Sequence, residues 1–242
     1  MLRTLVFLIS AAVDLVFLYP LLLVLTIFGV NDDGKGKPPE AITRLTRGFV
    51  RYVLKTSGIK LDCQGQENLP KEAALYVCNH QGDFDVAATL MCLGDLHSMI
   101  AKKEVKIIPA VAWFMKKFSC IFMDRKDVRQ SLECINQAQK LLENGRGVVV
   151  FPEGTRSKCD KMNEFKPGAL RCAVKAKAPI VPVAISGGYK AFEEKRRIMP
   201  ATIKVSILPP VETKDLGRGA TNELAKDIEG MIAAELERIR EN

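Results

Sequence analysis

From Gly58 to Leu208 the chain repeats one pattern: a short apolar run rich in β-branched residues, then a stretch with helical spacing. The runs Ile59–Cys63, Leu75–Cys78, Ser98–Ala101, Cys120–Met123, Val148–Phe151, Ile180–Ile185 and Ile203–Leu208 have the length of strands. Candidate helices fall between several of them, at Phe84–Leu93, Val105–Lys117, Val128–Glu143 and Gly168–Lys177, and Asn222–Arg240 closes the chain. Such alternation predicts an α/β layered domain with a mostly parallel central sheet. In sheets of this kind, ligands collect outside the carboxyl ends of the strands.

The first thirty residues are of a different kind. Between Leu5 and Val30 the only charged residue is Asp14. The segment is longer than the core of a secretory leader and lacks a clear small-residue cleavage site, so it is expected to stay on the mature chain. Asp14 does not exclude burial in lipid. It costs about 3 kcal/mol at a helix centre, while each Leu, Ile, Val or Phe returns roughly 0.3–0.6. Pro20 divides the segment and leaves Leu21–Val30 too short to cross a bilayer alone. Two readings stay open: a single tilted, kinked span, or a bent helix pair dipping into one leaflet.

After the polar linker Asn31–Pro39, Ala41–Lys55 places Ile42, Leu45, Phe49 and Val53 on one helical face and Arg44, Arg47, Arg51 and Lys55 on another. This is the pattern of an interfacial helix on anionic lipid, or of a surface helix packed on its own domain. Its position directly after an apolar segment favours the first. Residues 1–57 are therefore expected to form N-terminal membrane-associating helices, and residues 58–242 the α/β domain. Lys and Arg are scarce before the apolar segment and frequent after it, which would place the domain on the cytoplasmic face of the membrane if the segment spans.

The formal net charge of +8 points to anionic partners without choosing among nucleic acid, phospholipid and phosphorylated substrates. Seven widely spread cysteines without a Cys-x-x-Cys pair predict reduced thiols, mostly in the core. With only His80 and His97 present, a multi-histidine metal site is not expected. His97 precedes an apolar strand and reads as structural.

Three charged loops follow predicted strands: Asn79–Asp85, Asp124-Arg125 and Pro152–Arg156. A neutral imidazole such as His80 is a natural general base near neutral pH. A carboxylate on its second ring nitrogen fixes the tautomer and stabilises the imidazolium. Asp85, five residues on at the start of a predicted helix, can fold back to supply it; the plain alternative is a helix-capping Asp beside a surface His, and Asp83 can cap equally well. In Phe151–Ser157, Arg156 offers a planar fork for a phosphate and Glu153 can accept from a hydroxyl. The alternative there is a turn closed by an internal Glu153–Arg156 ion pair.

Taken together these residues resemble the glycerolipid acyltransferase family, in particular its 1-acylglycerol-3-phosphate acyltransferases. The resemblance rests on Asn79-His80 followed by Asp85, on Phe122-Met123-Asp124-Arg125, on Phe151-Pro152-Glu153-Gly154-Thr155-Arg156-Ser157, and on Ile180-Val181-Pro182-Val183. Ala101–Glu104 and Phe165–Gly168 fit as well. Met123 stands where Val or Ile is usual.

The resemblance implies a direct acyl transfer without a metal, a cofactor or an acyl-enzyme. His80 would take the proton from the sn-2 hydroxyl of lysophosphatidate, and Asp85 would orient His80. The acyl thioester, acyl-CoA or acyl-acyl carrier protein, would be the co-substrate. Arg156 would hold the acceptor phosphate, helped by Arg125 and by Lys102 or Lys103, while Glu153, Gly154 and Thr155 would line the acceptor pocket. A related acyltransferase with another acceptor, such as glycerol 3-phosphate or a different lysophospholipid, is the near alternative. A non-enzymatic basic protein would explain the charge and the amphipathic helix but not four motifs in order. The expected partners are thus lysophosphatidate, the thioester donor, acyl carrier protein where it carries the acyl group, and a phospholipid membrane, with no nucleic acid.

Overall fold

The structure, a computed structural model, describes residues 39–124, 127–217 and 219–241, together with Thr4, Leu5, Phe7, Val24, Lys35 and Gly36. Most of the apolar segment with Pro20, and Arg125, lie outside the described residues. Among those described, no helix is long and apolar enough to cross a membrane.

The seven predicted strands form one sheet: β1 (Ile59–Gln64), β2 (Leu75–Cys78), β3 (Ser98–Lys102), β4 (Ile121–Met123), β5 (Val148–Val150), β6 (Ile180–Ser186) and β7 (Ala201–Ile207), in the order β1-β7-β6-β2-β5-β3-β4. The run from β6 to β4 is parallel, β6 and β7 pair antiparallel, and β1 pairs parallel with β7. The sheet is thus mostly parallel, with two strands reversed at one edge. β2 lies at its centre: Leu75 pairs with Val148 on one side and Ile180 on the other. Every residue of β2 is buried, as a strand covered on both faces requires.

Helices α1 (Glu40–Ser57), α2 (Phe84–Cys92), α3 (Pro109–Lys117), α4 (Val128–Glu143), α5 (Arg171–Ala176) and α6 (Thr221–Glu241) complete the described fold. Alternation along β2 sorts the core into two layers. Leu75 and Val77 face Cys134, Leu142 and Ile228 of α4 and α6, while Tyr76 and Cys78 face Leu54 and Ala88 of α1 and α2.

The helix at Val105–Lys117 is broken. Lys103–Ile107 is a 3-10 turn and α3 begins at Pro109, because the residue before a proline is driven out of the helical region; Ile108 has φ −100° and ψ 100°. Gly168–Lys177 likewise divides into a 3-10 turn, Pro167–Leu170, and α5.

Helix α1 buries Ile42, Thr46, Val50 and Leu54 rather than the Ile42, Leu45, Phe49, Val53 row. Its apolar surface is wider than one row. The four-spaced row packs inward, and Leu45 and Phe49 are left half-buried, with Phe49 stacked on Phe114 of α3 at 6.4 Å. Gly58, at φ 72°, ends the helix and donates its N–H to the carbonyls of Leu54 and Lys55.

The expectation of reduced thiols throughout is corrected at one place. Cys63 of β1 and Cys92 of α2 form a disulfide across a Cα–Cα distance of 5.8 Å. Gln66 Nε2 donates to the Cys92 carbonyl at 3.2 Å, which holds the chain leaving β1 against the last turn of α2 and brings the thiols together. Cys78, Cys120, Cys134, Cys159 and Cys172 are not disulfide-bonded.

His97 is structural, as expected. Its ring stacks on Tyr76 at 4.3 Å and Nε2 meets the Leu93 carbonyl at 3.1 Å. Burial pushes its pKa down from 6.5 to about 4, against the opposing effect of the bond to Leu93. Between these values the unfolded chain binds a proton that the folded chain does not, so stability falls as pH drops through the window. Urea titrations between pH 6.5 and 4 are expected to show a loss of about 3 kcal/mol from this site, at 1.36 kcal/mol per pKa unit. His97→Phe, which keeps the stacking, is expected to lack that part of the slope.

Candidate active site

Because β2 and β5 are parallel neighbours, their carboxyl-end loops emerge side by side. The first residue after β2, Asn79, is buried and continues the β2–β6 ladder with its side chain. Its Oδ1 accepts from the Ile185 N–H at 2.7 Å and its Nδ2 donates to the Ile185 carbonyl at 2.9 Å. This fixes the point at which the chain turns into His80.

Asp85 lies in the first turn of α2 and is fully buried. Its Oδ2 accepts from the N–H groups of Gln81 at 2.6 Å and Gly82 at 2.8 Å, and lies 3.0 Å from His80 Nδ1. The loop therefore folds back around the carboxylate, the first of the two arrangements that the spacing allowed. Asp83, the alternative cap, makes no side-chain capping bond to α2. The His80 side chain is 14% exposed and stacks on Phe151 at 4.2 Å, so it is reachable yet held on two sides.

The β5 loop is laced to the β2 loop through backbone and side chain. Ser157 N–H donates to the His80 carbonyl at 2.8 Å and Lys158 N–H to the Gln81 carbonyl at 3.1 Å. Glu153 is buried beneath them. Its Oε1 accepts from the His80 N–H at 2.6 Å, and its Oε2 from the backbone and side-chain amides of Asn163 at 2.9 and 2.8 Å. Burial pushes its carboxyl pKa up, and these donors oppose the shift. Glu153 and Arg156 do not close an internal ion pair. Arg156 instead reaches Asp83 at 2.5 Å and Glu193 at 3.0 Å.

The remaining predicted residues are spread further. Gly154 has φ +71°, and a Cβ there would lie 2.9 Å from Lys166 Nζ; Thr155 is exposed beside it. Lys103 is ion-paired with Asp124, which holds its ammonium pKa up, and Lys102 lies 3.3 Å from Glu104. These lysines stand at the end of β3, with β5 between them and the strand that leads into His80.

Three contributors escaped the sequence reading, and all involve the segment after β6. Gln81 Oε1 accepts from the N–H groups of Gly187 and Gly188 at 2.8 and 3.2 Å. Gly188 lies so close to Asp85 that a Cβ would fall 1.8 Å from Oδ1. Glu193 receives both Arg156 and the Asp83 N–H. The Gly187-Gly188 doublet after an apolar strand was a usable sign of close backbone approach; nothing local marks Glu193, which lies 110 residues from Asp83.

The arrangement offers an imidazole with an oriented carboxylate, an arginine nearby, and backbone donors lining the turn. The family described as Acyltransferase matches residues 60–186. A probable 1-acyl-sn-glycerol-3-phosphate acyltransferase of Mycoplasma pneumoniae is 34% identical over 69% of this chain, which spans 64% of that relative's length. One from Mycoplasma genitalium is 30% identical over 81% of this chain and 78% of its own. The crystal structure of the 1-acyl-sn-glycerophosphate (LPA) acyltransferase PlsC from Thermotoga maritima superposes with a TM-score of 0.84, at 28% identity, covering 100% of this chain and 96% of that one.

The contact between Gly188 and Asp85 is directly testable. Gly188→Ala must displace the carboxylate or the backbone, an overpacking cost of about 1–3 kcal/mol. Denaturant unfolding should report that loss, and a crystal structure of the variant should show the His80–Asp85 contact lengthened. Wild-type stability with the contact intact would contradict the packing described.

Proposed function

We propose, from the premise that this chain belongs to the acyltransferase family, that it is a 1-acyl-sn-glycerol-3-phosphate O-acyltransferase that makes phosphatidate. The observation that carries the catalytic assignment is the His80 Nδ1–Asp85 Oδ2 contact of 3.0 Å, with the same carboxylate oxygen held by two backbone N–H groups. With Nδ1 committed to Asp85, Nε2 is the nitrogen that takes the proton from the sn-2 hydroxyl. The oxygen then attacks the thioester carbonyl. As the tetrahedral intermediate collapses, the C–S bond breaks and the proton on Nε2 passes to the departing thiolate. The transfer is direct, with no acyl-enzyme and no resident cofactor in the scheme. The thioester is acyl-CoA or acyl-acyl carrier protein.

Arg156 is assigned to the acceptor phosphate, supported by its position beside the His80 loop and its 33% exposure. Glu153 is assigned to holding the His80 backbone and the β5 loop together beside the acceptor, since both of its oxygens accept from protein groups. Lys102 and Lys103, at the end of β3, are assigned to drawing anionic substrate to this end of the sheet, and Arg125 is assigned the same task from its sequence alone. Residues 1–57 are assigned to membrane association at the cytoplasmic face. That assignment is supported by the solvent-facing Arg44, Arg51 and Lys55 on α1 and by Tyr52, which is 41% exposed on the same helix. Residues 58–242 form the catalytic domain.

A panel of lysolipid acceptors and of CoA and carrier-protein donors tests the reading. Lysophosphatidate should be the preferred acceptor; preference for glycerol 3-phosphate or an uncharged lysolipid would overturn it. His80→Ala should lower kcat by roughly 10²–10⁴-fold with folding retained, the range for loss of a general base. Transfer near the wild-type rate would remove His80 from the mechanism. Arg156→Ala should raise KM for lysophosphatidate by about tenfold or more, the equivalent of one charge-assisted hydrogen bond.

A further inference from the structure

The Arg156 guanidinium is held between two carboxylates of opposite character. Glu193, in the segment after β6, has a side chain 3% exposed; Asp83, just before α2, has one 61% exposed. Both meet the same nitrogen, Nη1, Glu193 at 3.0 Å and Asp83 at 2.5 Å. Glu193 Oε1 also accepts from the Asp83 N–H at 2.8 Å, so it ties the loop that carries His80 to the arginine. Its second oxygen is packed against Gly82, where a Cβ would lie 2.5 Å from Oε2. A side chain at residue 82 would force that carboxylate to shift.

These two anions respond differently to an incoming phosphate. Releasing an exposed carboxylate from an arginine costs little, because water receives it. Releasing a buried one leaves an uncompensated charge where water cannot follow. A phosphate outcompetes a single carboxylate for a guanidinium through its higher charge and its several acceptor oxygens. Asp83 is therefore the partner that yields and Glu193 the partner that stays.

We propose that Glu193 is a positioning residue that fixes the direction of Arg156 toward the acceptor, and that Asp83 is a placeholder carboxylate that the acceptor's phosphate displaces. The proposal rests on the reading that Arg156 binds this phosphate. It gives the two carboxylates on one guanidinium opposite effects on acceptor binding. Asp83 competes with the phosphate and occupies the guanidinium in the empty site. Glu193 pre-organises the arginine and lowers the cost of ordering it when substrate arrives.

The test is steady-state kinetics of the full chain on lysophosphatidate in mixed micelles, with the acyl thioester that supports turnover held saturating. Asp83→Asn should lower the acceptor KM by about threefold and Glu193→Ala should raise it by about tenfold, each with kcat within about twofold and donor KM unchanged. Glu193→Gln, which keeps an accepting oxygen for Arg156 and the Asp83 N–H, should fall between wild type and Glu193→Ala. In an Arg156→Ala background both effects should shrink to less than about twofold, since they act through the arginine. A rise in KM for Asp83→Asn, or an undiminished Glu193 effect without Arg156, overturns the proposal and leaves the assigned activity standing. If Arg156→Ala itself leaves the acceptor KM unchanged, the phosphate assignment fails and the proposal fails with it. Should Glu193→Ala not fold, Glu193→Gln and the Asp83/Arg156 double-mutant cycle decide the matter.

Discussion

One buried oxygen, Asp85 Oδ2, organises the site. It gathers the Gln81 and Gly82 N–H groups and His80 Nδ1 around a carboxylate that has no exposed surface. Burying an ionised group is costly unless donors replace its hydration. Here the donors are the turn itself, so the loop between β2 and α2 has one low-energy shape. That shape aims the imidazole. The neighbouring elements are fitted to it: Gly187 and Gly188 from the β6 side, and Glu153 and Ser157 from the β5 side. Asn79 sets where the turn begins. A histidine held in this way has little freedom to lose when a substrate binds, which is the advantage of pre-organisation for the proposed general base.

Much of this was legible in the sequence, for local reasons. Strand β2 and helix α4 coincide with the predicted Leu75–Cys78 and Val128–Glu143, because each is a run of consistent character between clear breaks. His80 and Asp85 were singled out by the motifs that carry the family resemblance, since a five-residue separation by itself left a helix-capping Asp open; the fold back onto His80 depends on no distant strand. The break before Pro109 was available from the proline rule. The inward row of α1 was not, since periodicity shows that a helix has an apolar side without showing which of two adjacent rows a neighbour covers.

What stayed hidden depends on strand order. The parallel pairing of β6 with β2 brings the segment after β6 beside the β2 loop, and no short-range pattern announces it. Glu193 and Gly188 enter the site by that route, and so does the correction to the cysteines, where Cys63 and Cys92 meet only after the chain leaving β1 is laid on α2. The charged groups sort in the same way. The +8 excess is a property of composition, while the partners of Arg156 and Lys103 are properties of the fold.

The proposed role of the Asp85 carboxylate is tested most directly by kcat for lysophosphatidate acylation in Asp85→Asn. The amide matches the carboxylate in size and can still accept from the Gln81 and Gly82 N–H groups, but it carries no charge to stabilise an imidazolium on His80. A fall in kcat of several orders of magnitude, on the scale of about 10⁴ known for loss of the orienting carboxylate in a His-Asp pair, with acceptor KM little changed, is the predicted result. A folded Asp85→Asn variant that turns over within severalfold of wild type would contradict it.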